Sequence, residues 1–225
     1  MVCIQGIKGA WMEANRIEFR ILITSLIIIL FVEIAARALY AKDLYDSMII
    51  LGLARLFEIT LIIIIVLAIG KGLLSIGLAK SKMIPGIKKG LIWSAGFGMV
   101  TIFVVIIFYL AGINLLIFFQ THLPKKANEI ALFFIVGGIV GPITEELFFR
   151  GILYGFFRKW GILIALVIST TVFVFAHPFF PKIPVTQLVG GIVFALAYEI
   201  EKNLTVPIVI HVLGNMAIFT LSLVS

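Results

Sequence analysis

The sequence predicts an all-α protein, a polytopic transmembrane helical bundle with about seven spanning helices. Of its 225 residues, 62% are hydrophobic and only 13% are charged, and the mean hydropathy is +1.23. Soluble domains carry about 25% charged residues. Apolar runs of about 17 to 25 residues recur along the chain, and each is long enough to cross a bilayer as a helix. We therefore expect one integral membrane domain over 1–225, with spanning helices in 1–128 and motif-bearing core helices in 129–225.

Seven apolar stretches account for the predicted spans. In chain order they cover about residues 17–37, 48–69, 91–117, 129–157, 160–177, 185–200 and 204–223. A lysine-rich loop is predicted over 71–90, because Pro85 and Gly86 interrupt any continuous helix there. The fourth stretch would be roughly 43 Å long at 1.5 Å per residue, which is too long for a simple crossing. A kink or break is expected within it, where small residues and a proline cluster: Gly137, Gly138, Gly141 and Pro142.

Basic residues outside the spans predict the orientation. With a cytoplasmic N-terminus, eleven fall on the cytoplasmic side: Lys8, Arg16, Arg20, Lys71, Lys80, Lys82, Lys88, Lys89, Arg158, Lys159 and Lys202. Five fall on the opposite side: Arg37, Lys42, Lys125, Lys126 and Lys182. Because Lys and Arg accumulate in cytoplasmic loops, we expect the N-terminus in the cytoplasm and the C-terminus on the opposite side. The net charge of +7 is explained by these loops, so the expected partner is the lipid bilayer and not nucleic acid.

Helix 4 carries Glu145, Glu146 and Arg150 within an otherwise apolar segment. Ionisable side chains at membrane depth are costly and therefore indicate a functional site. Residues four apart share a helix face, so Glu146 and Arg150 are predicted to pair. Glu145 is rotated by about 100° and stays freer to act in a cavity. The structural alternative is that both glutamates pair with Arg150, Arg55 or Arg158 and only hold helices together.

Two more motifs place polar residues four apart on later helices. Phe173 and His177 share one face, and so do His211 and Asn215. Taken alone, His177 could be a capping or interfacial residue at the end of its helix. The pair of His211 and Asn215, taken alone, could form an interhelical hydrogen bond. Taken together with Glu145, the set suits hydrolysis. Glu145 would deprotonate a water that His177 positions or polarises, while His211 and Asn215 donate to a developing oxyanion.

Other hydrolase classes fit the sequence less well. Ser169 lies in helix 5, but no Gly-x-Ser-x-Gly surrounds it. The metalloprotease pattern His-Glu-x-x-His is absent. One glutamate and two histidines are nevertheless possible zinc ligands. We therefore expect no cofactor, with zinc not excluded by the ligand chemistry.

The ordered motifs resemble those of the CPBP (CAAX protease and bacteriocin-processing, or ABI) family of intramembrane endopeptidases, which includes the type II CAAX prenyl endopeptidases. The family pattern is Glu-Glu-x-x-x-Arg, Phe-x-x-x-His and His-x-x-x-Asn on successive core helices, and all three occur here in that order. The stretch from Leu188 to Asn215 is also similar to the last two core helices of the family. The resemblance covers about residues 130–220.

This resemblance implies a catalytic core in 129–225 with a glutamate-activated water, in a cavity open towards the cytosolic side. It assigns Glu145 and His177 to water activation, and His211 and Asn215 to the oxyanion hole. Supporting roles fall to Glu146, Arg150 and Phe173. The family's older label is metalloendopeptidase, but the mechanism that it now implies is metal-free.

Three functions compete at this point. The first is an intramembrane endopeptidase, whose substrate is a CAAX-type or lipidated protein C-terminus or another membrane-associated peptide. The second is a non-catalytic membrane immunity or binding protein on the same scaffold. The third is a small transporter with Arg55, Glu58 and the helix 4 carboxylates along its pathway, although the inverted repeat typical of transporters is missing. The i, i+3 spacing of Arg55 and Glu58 also predicts an intrahelical ion pair. The expected location is a prokaryotic cell membrane.

Overall fold

A computed structural model describes residues 17–41, 47–177 and 184–224. These residues form seven helices and no strand. In chain order the helices are α1 Phe19–Tyr40, α2 Ser47–Ala68, α3 Met83–Leu110, α4 Ala127–Trp160, α5 Ile162–Phe175, α6 Val185–Glu201 and α7 Thr205–Val224. The predicted all-α bundle of about seven helices is confirmed. The predictions that involve Lys8, Arg16, Lys42 and Lys182 lie outside the described residues.

Five of the described segments are long and apolar enough to cross a membrane: α1, α2, α4, α7 and Leu73–Leu110, which contains α3. Helices α5 and α6 are shorter, with 14 and 17 residues. At 1.5 Å per residue, α5 is about 21 Å long, which is less than the roughly 30 Å thickness of a bilayer core. Its carboxyl end, next to His177, therefore lies within the apolar layer when its start lies at the interface.

The third span differs from its predicted bounds. Helix α3 runs over Met83–Leu110, whereas the sequence pattern favoured 91–117. Pro85 and Gly86 do not break the helix, because both lie in its first turn. The first four N–H groups of a helix have no intrahelical acceptor, so a proline costs little there.

Helix α4 is continuous, but it is not a regular α-helix. The segments Val136–Val140 and Leu147–Tyr154 are π-helical, and the α-helical turns that carry Glu145 and Glu146 lie between them. Pro142 is the second residue after the first π-helical segment. Its ring and its missing N–H conflict with a regular α-helical bond to the carbonyl four residues earlier, and the wider turn accommodates both. The expected break in helix 4 is therefore a change of helical winding, with no interruption of the helix.

The helix ends define two faces of the bundle. The lysine face contains the connection 69–82, the α4–α5 junction and the α6–α7 turn. Here the Asn203 side-chain amide donates to the carbonyl of Lys82 over 2.8 Å, and the Leu204 N–H donates to the carbonyl of Gly77 over 3.1 Å. The opposite face contains the connection 111–126, the end of α5 and the start of α6. There the Thr121 N–H donates to the Ser222 hydroxyl over 2.9 Å.

The main hydrophobic core lies towards the lysine face. Its buried side chains come from the start of α1, the end of α2, the second half of α4 and the start of α7, and they include Ile21, Ile62, Val66, Ile152, Leu204 and Val206. Helices α3 and α7 also approach each other closely at this end. A Cβ atom at Gly90 would lie 2.6 Å from Cβ of Val209, so only glycine allows this contact.

This close contact predicts that Gly90→Ala destabilises the protein. Overpacking of this kind costs about 1–3 kcal/mol, which would lower the midpoint of thermal unfolding in detergent. Gly96→Ala, in the same helix, is the matched control, because no atom lies within 4 Å of the added methyl group. Equal unfolding midpoints for the two variants would contradict the packing described.

Candidate active site

Helices α4 and α7 meet at one carboxylate oxygen. Oε1 of Glu146 accepts from Nη1 of Arg150 at 2.6 Å and contacts Nδ1 of His211 at 2.8 Å. Nη2 of Arg150 also donates to the carbonyl of Gly191 in α6 over 3.3 Å. Glu146 and Arg150 are both 0% exposed. The ion pair expected between Glu146 and Arg150 is therefore present, and it extends to α6 and α7.

This network fixes the tautomer of His211. An arginine is always protonated and donates only, so the Glu146 oxygen that it shares with His211 acts as an acceptor. Nδ1 of His211 must then carry the proton. In the neutral imidazole, Nε2 is left as a hydrogen-bond acceptor.

Glu145 lies next to the network without joining it. Its Oε2 atom is buried and accepts no hydrogen bond from the described residues. Nε2 of His177 lies 3.7 Å from this oxygen, and Nε2 of His211 lies 3.8 Å from it. Both distances exceed a direct hydrogen bond and suit a bridge through one water. Two motifs from distant helices therefore meet at Glu145.

His177 is oriented by its own helix. Its Nδ1 lies 2.8 Å from the carbonyl of Phe173, one turn earlier. A carbonyl only accepts, so Nδ1–H donates and Nε2 is again an acceptor in the neutral ring. The Phe173 ring also lies 4.7 Å from the His177 ring and 5.8 Å from the His211 ring, between centroids. Phe173 thus contacts both imidazoles as well as orienting one.

Asn215 contributes an amide to the same region. Its Nδ2 donates to the carbonyl of Gly137 over 2.9 Å. An amide nitrogen has two hydrogens, so one N–H remains for another acceptor. Gly137 belongs to the first π-helical segment of α4, which therefore supplies an acceptor that positions Asn215.

Three contributors to the site were missed by the sequence analysis as site residues. The Phe194 ring stacks on His211, with centroids 4.5 Å apart and planes at 21°. Gly137 and Gly191 contribute the carbonyls described above. Gly191 had a weak signal, since paired glycines in a helix indicate close approach, and here a Cβ would lie 3.0 Å from Thr170. Phe194 had none, because an isolated aromatic residue in an apolar helix is indistinguishable from its neighbours.

A cavity of about 660 Å³ contains the four predicted catalytic residues. Its wall is formed by Glu145, His177, His211 and Asn215 together with apolar side chains of α3, α4, α6 and α7. The two other arginines considered as partners of the glutamates are used elsewhere: Arg55 pairs with Glu33 and Glu58 at 2.5 and 2.6 Å, and Arg158 pairs with Glu199 at 2.8 Å. The expected ion pair of Arg55 with Glu58 is thus present. Within the described part of the chain, Glu145 makes no ion pair with any arginine.

The side chains do not form a recognisable metal site. Among residues 17–41, 47–177 and 184–224, no group of three or more His, Cys, Asp or Glu side chains is arranged to hold a metal ion. The donor atoms of Glu145, His177 and His211 approach each other, as given above, but without that arrangement.

Residues 127–217 match the family described as type II CAAX prenyl endopeptidase, Rce1-like. The match covers 91 of the 225 residues. The resemblance indicated by the three motifs is confirmed, and all four residues around the cavity lie in the Rce1-like segment. With its apolar helices, the chain is an integral membrane protein.

Two curated proteins are similar over nearly the same length. The chain is 41% identical over 96 residues to "Membrane-embedded CAAX protease MroQ" of Staphylococcus aureus (strain USA300). It is 32% identical over 97 residues to "Putative membrane peptidase YdiL" of Bacillus subtilis (strain 168). These matches cover 40% and 43% of this chain, and 38% and 39% of the two relatives. No solved structure matches the chain significantly.

The buried network predicts that Arg150→Met strongly destabilises the protein. Removal of one partner leaves the Glu146 carboxylate buried without its charge partner, which costs about 3–5 kcal/mol. The control is Lys126→Met, which breaks the exposed pair of Lys126 with Glu129 and should cost no more than about 1 kcal/mol. Thermal unfolding in detergent measures both variants. Similar unfolding midpoints for the two variants would show that the buried pair of Glu146 with Arg150 stabilises the protein no more than an exposed pair does.

Proposed function

We propose that this protein is an intramembrane endopeptidase in which Glu145 activates a water for attack on a peptide bond. One observation carries the proposal. The buried Oε2 of Glu145 faces Nε2 of both His177 and His211 at the wall of a cavity. The family match of the segment supports a protease of the membrane CAAX type.

The hydrogen-bonding pattern suits a water held by acceptors. With both Nδ1 atoms engaged as donors, the two Nε2 atoms and Oε2 of Glu145 all present lone pairs. A water between them donates one hydrogen to Glu145 and the other to an imidazole, which leaves its own lone pair directed at the substrate. Glu145 takes the proton as the C–O bond forms, and it returns the proton to the amine nitrogen as the C–N bond breaks.

The developing oxyanion needs hydrogen-bond donors. The second N–H of Asn215 is one, because only the first is used by Gly137. His211 is the other donor if it enters the reaction as the imidazolium, with a proton from solvent already on Nε2; the water is then held by His177 and Glu145, and the Glu146 carboxylate lies beside the charged ring. Glu146 and Arg150 therefore act through His211 and are positioning residues in this scheme.

The cavity also supports a substrate class. Its walls are mostly apolar, and its polar groups are few and concentrated around Glu145 and at the rim. Such a site suits a membrane-associated peptide with apolar side chains, and a CAAX-type or lipidated C-terminus is one such substrate. The relative MroQ is described as a CAAX protease, which supports the same class.

Glu145→Gln should abolish hydrolysis, because the amide cannot accept the proton of the attacking water. Loss of a general base lowers the rate by about 10²–10⁴-fold. Cleavage of a quenched fluorescent reporter peptide in proteoliposomes measures the effect. Glu129→Gln is the control, since Glu129 pairs with Lys126 and does not line the cavity.

Two results would contradict the glutamate mechanism. Equal turnover by wild type and Glu145→Gln would remove Glu145 from the reaction. If neither protein cleaved any peptide while Glu145→Gln kept the biological activity of the chain in cells, the non-catalytic alternative would replace the proposal.

A metal-free reaction predicts that chelation leaves activity unchanged. Purified protein treated with a zinc chelator and then dialysed should cleave the reporter peptide at the rate of untreated protein. Zinc content is measured on the same samples. Loss of activity that stoichiometric zinc restores would show that Glu145, His177 and His211 act as metal ligands.

A further inference from the structure

We infer that Phe194 is a positioning residue for the reaction, and that its stacked ring holds the His211 imidazole in the orientation in which Nε2 faces Glu145. The catalytic role of His211 rests on the proposed function, whereas the contacts of its ring do not. Phe194 belongs to none of the three motifs on which the site was predicted, so its role comes from the packing of α6 against α7 alone.

The hydrogen bond of His211 fixes one atom of its ring and leaves the plane of the ring undetermined. Nδ1 lies 2.8 Å from Oε1 of Glu146. A single hydrogen bond of this kind is satisfied over a range of tilts, because the angle at the hydrogen is favourable anywhere above about 150°. Each tilt would carry Nε2 to a different place, whereas the proposed reaction needs this atom beside Glu145.

Phe194 supplies the missing restraint. Its ring is nearly parallel to the imidazole, with planes at 21° and centroids 4.5 Å apart, so the two faces are in contact. The Phe173 ring meets the same imidazole at 78°, with centroids 5.8 Å apart. A stacked contact and an edge contact, both common for aromatic pairs, together determine the plane of the imidazole. In that plane, Nε2 of His211 lies 3.8 Å from Oε2 of Glu145.

The Phe194 ring is itself held in place. A Cβ atom at Gly190, one turn earlier in α6, would approach two atoms of the ring to 3.2 Å, so an alanine there would push the ring aside by a few tenths of an ångström. The guanidinium carbon of Arg150 lies 5.2 Å from the ring centroid. The ring is therefore confined between its own helix, Arg150 and His211.

The stack is compatible with the charged imidazole that the oxyanion role requires. The face of a phenylalanine ring attracts a cation placed over it within about 6 Å of the ring centroid. The His211 ring meets this condition. Phe194 therefore keeps its contact with His211 when the imidazole carries a second proton.

Phe194→Leu should lower kcat for the reporter peptide by about 10- to 100-fold, because the imidazole loses its stacking partner while an apolar side chain remains. KM should change by less than about twofold, since the donor acts on the transition state. The matched control is Phe148→Leu. The Phe148 side chain is as buried as Phe194, at 5% and 7% exposure, but it belongs to the main core and its ring packs on Phe149.

Three kinetic results would overturn the role of Phe194. A kcat equal to that of wild type would show that the stack has no effect on the reaction. A raised KM with unchanged kcat would make Phe194 part of the cavity wall only. Equal losses of kcat in Phe194→Leu and Phe148→Leu would show a general effect of core packing.

Gly190→Ala tests the same contact from the other side of the ring. The added methyl group displaces the Phe194 ring, so kcat should fall in the wild-type background. In Phe194→Leu the ring is absent, and Gly190→Ala should then lower kcat little further. Losses that multiply in the double variant would show that the two residues act independently, and this result would also overturn the role of Phe194.

Chemical modification detects the restraint on His211 without any turnover. Purified protein is treated with diethyl pyrocarbonate, and mass spectrometry of its peptides gives the rate of modification at His211 relative to His177. The relative rate should be higher in Phe194→Leu than in wild type and Phe148→Leu, because one face of the imidazole is then uncovered. Equal relative rates in all three proteins would overturn the positioning. If wild type cleaves no peptide while the expected difference in modification is found, the proposed function fails and the restraint on His211 stands.

Discussion

The shared hydrogen bonds at Oε1 of Glu146 are the interaction on which the core of this protein depends. A charged pair inside a membrane is tolerated only when its polar atoms find partners, because lipid offers none. Here Arg150 and His211 both contact that oxygen, and Arg150 reaches on to the Gly191 carbonyl. Three helices are thereby held in one register, and the imidazole of His211 cannot turn away from Glu145. The aromatic rings of Phe173 and Phe194 cover the guanidinium at 4.5 and 5.2 Å, which shields the network from lipid.

A second polar cluster ties the first two helices to the same frame. Arg55 in α2 bridges Glu33 in α1 and the fully buried Glu58. The Thr144 hydroxyl lies 3.3 Å from the carbonyl of Arg55, next to Glu145 in sequence. Polar contacts of this kind hold helices together where lipid removes the hydrophobic driving force. The amino-terminal helices, which lie outside the Rce1-like segment, therefore support the helix that carries the glutamates.

The sequence predicted those features that depend on local helical geometry. The apolar runs indicated the seven helices, and the i, i+3 and i, i+4 spacings indicated the ion pairs at Arg55 and Arg150. Features set by packing between distant segments were not predictable in this way. The contact of Glu146 with His211 joins residues 65 positions apart, and nothing in either motif gives the distance between their helices. The early start of α3 was missed because Pro85 indicates a break unless its place in the first turn is known.

The winding of α4 has a consequence for how this helix is compared with others. A π-helical turn accommodates one residue more than an α-helical turn, so side chains before Val136 and after Val140 are out of phase by about 100°. Phe133 and Glu145 both line the cavity, although a regular α-helix would place them about 120° apart. The extra residue is equivalent to a one-residue insertion in the helix, and it lies in the segment that contains Gly137 and Gly138. A relative without it would need a compensating shift elsewhere to keep its glutamate in the same place.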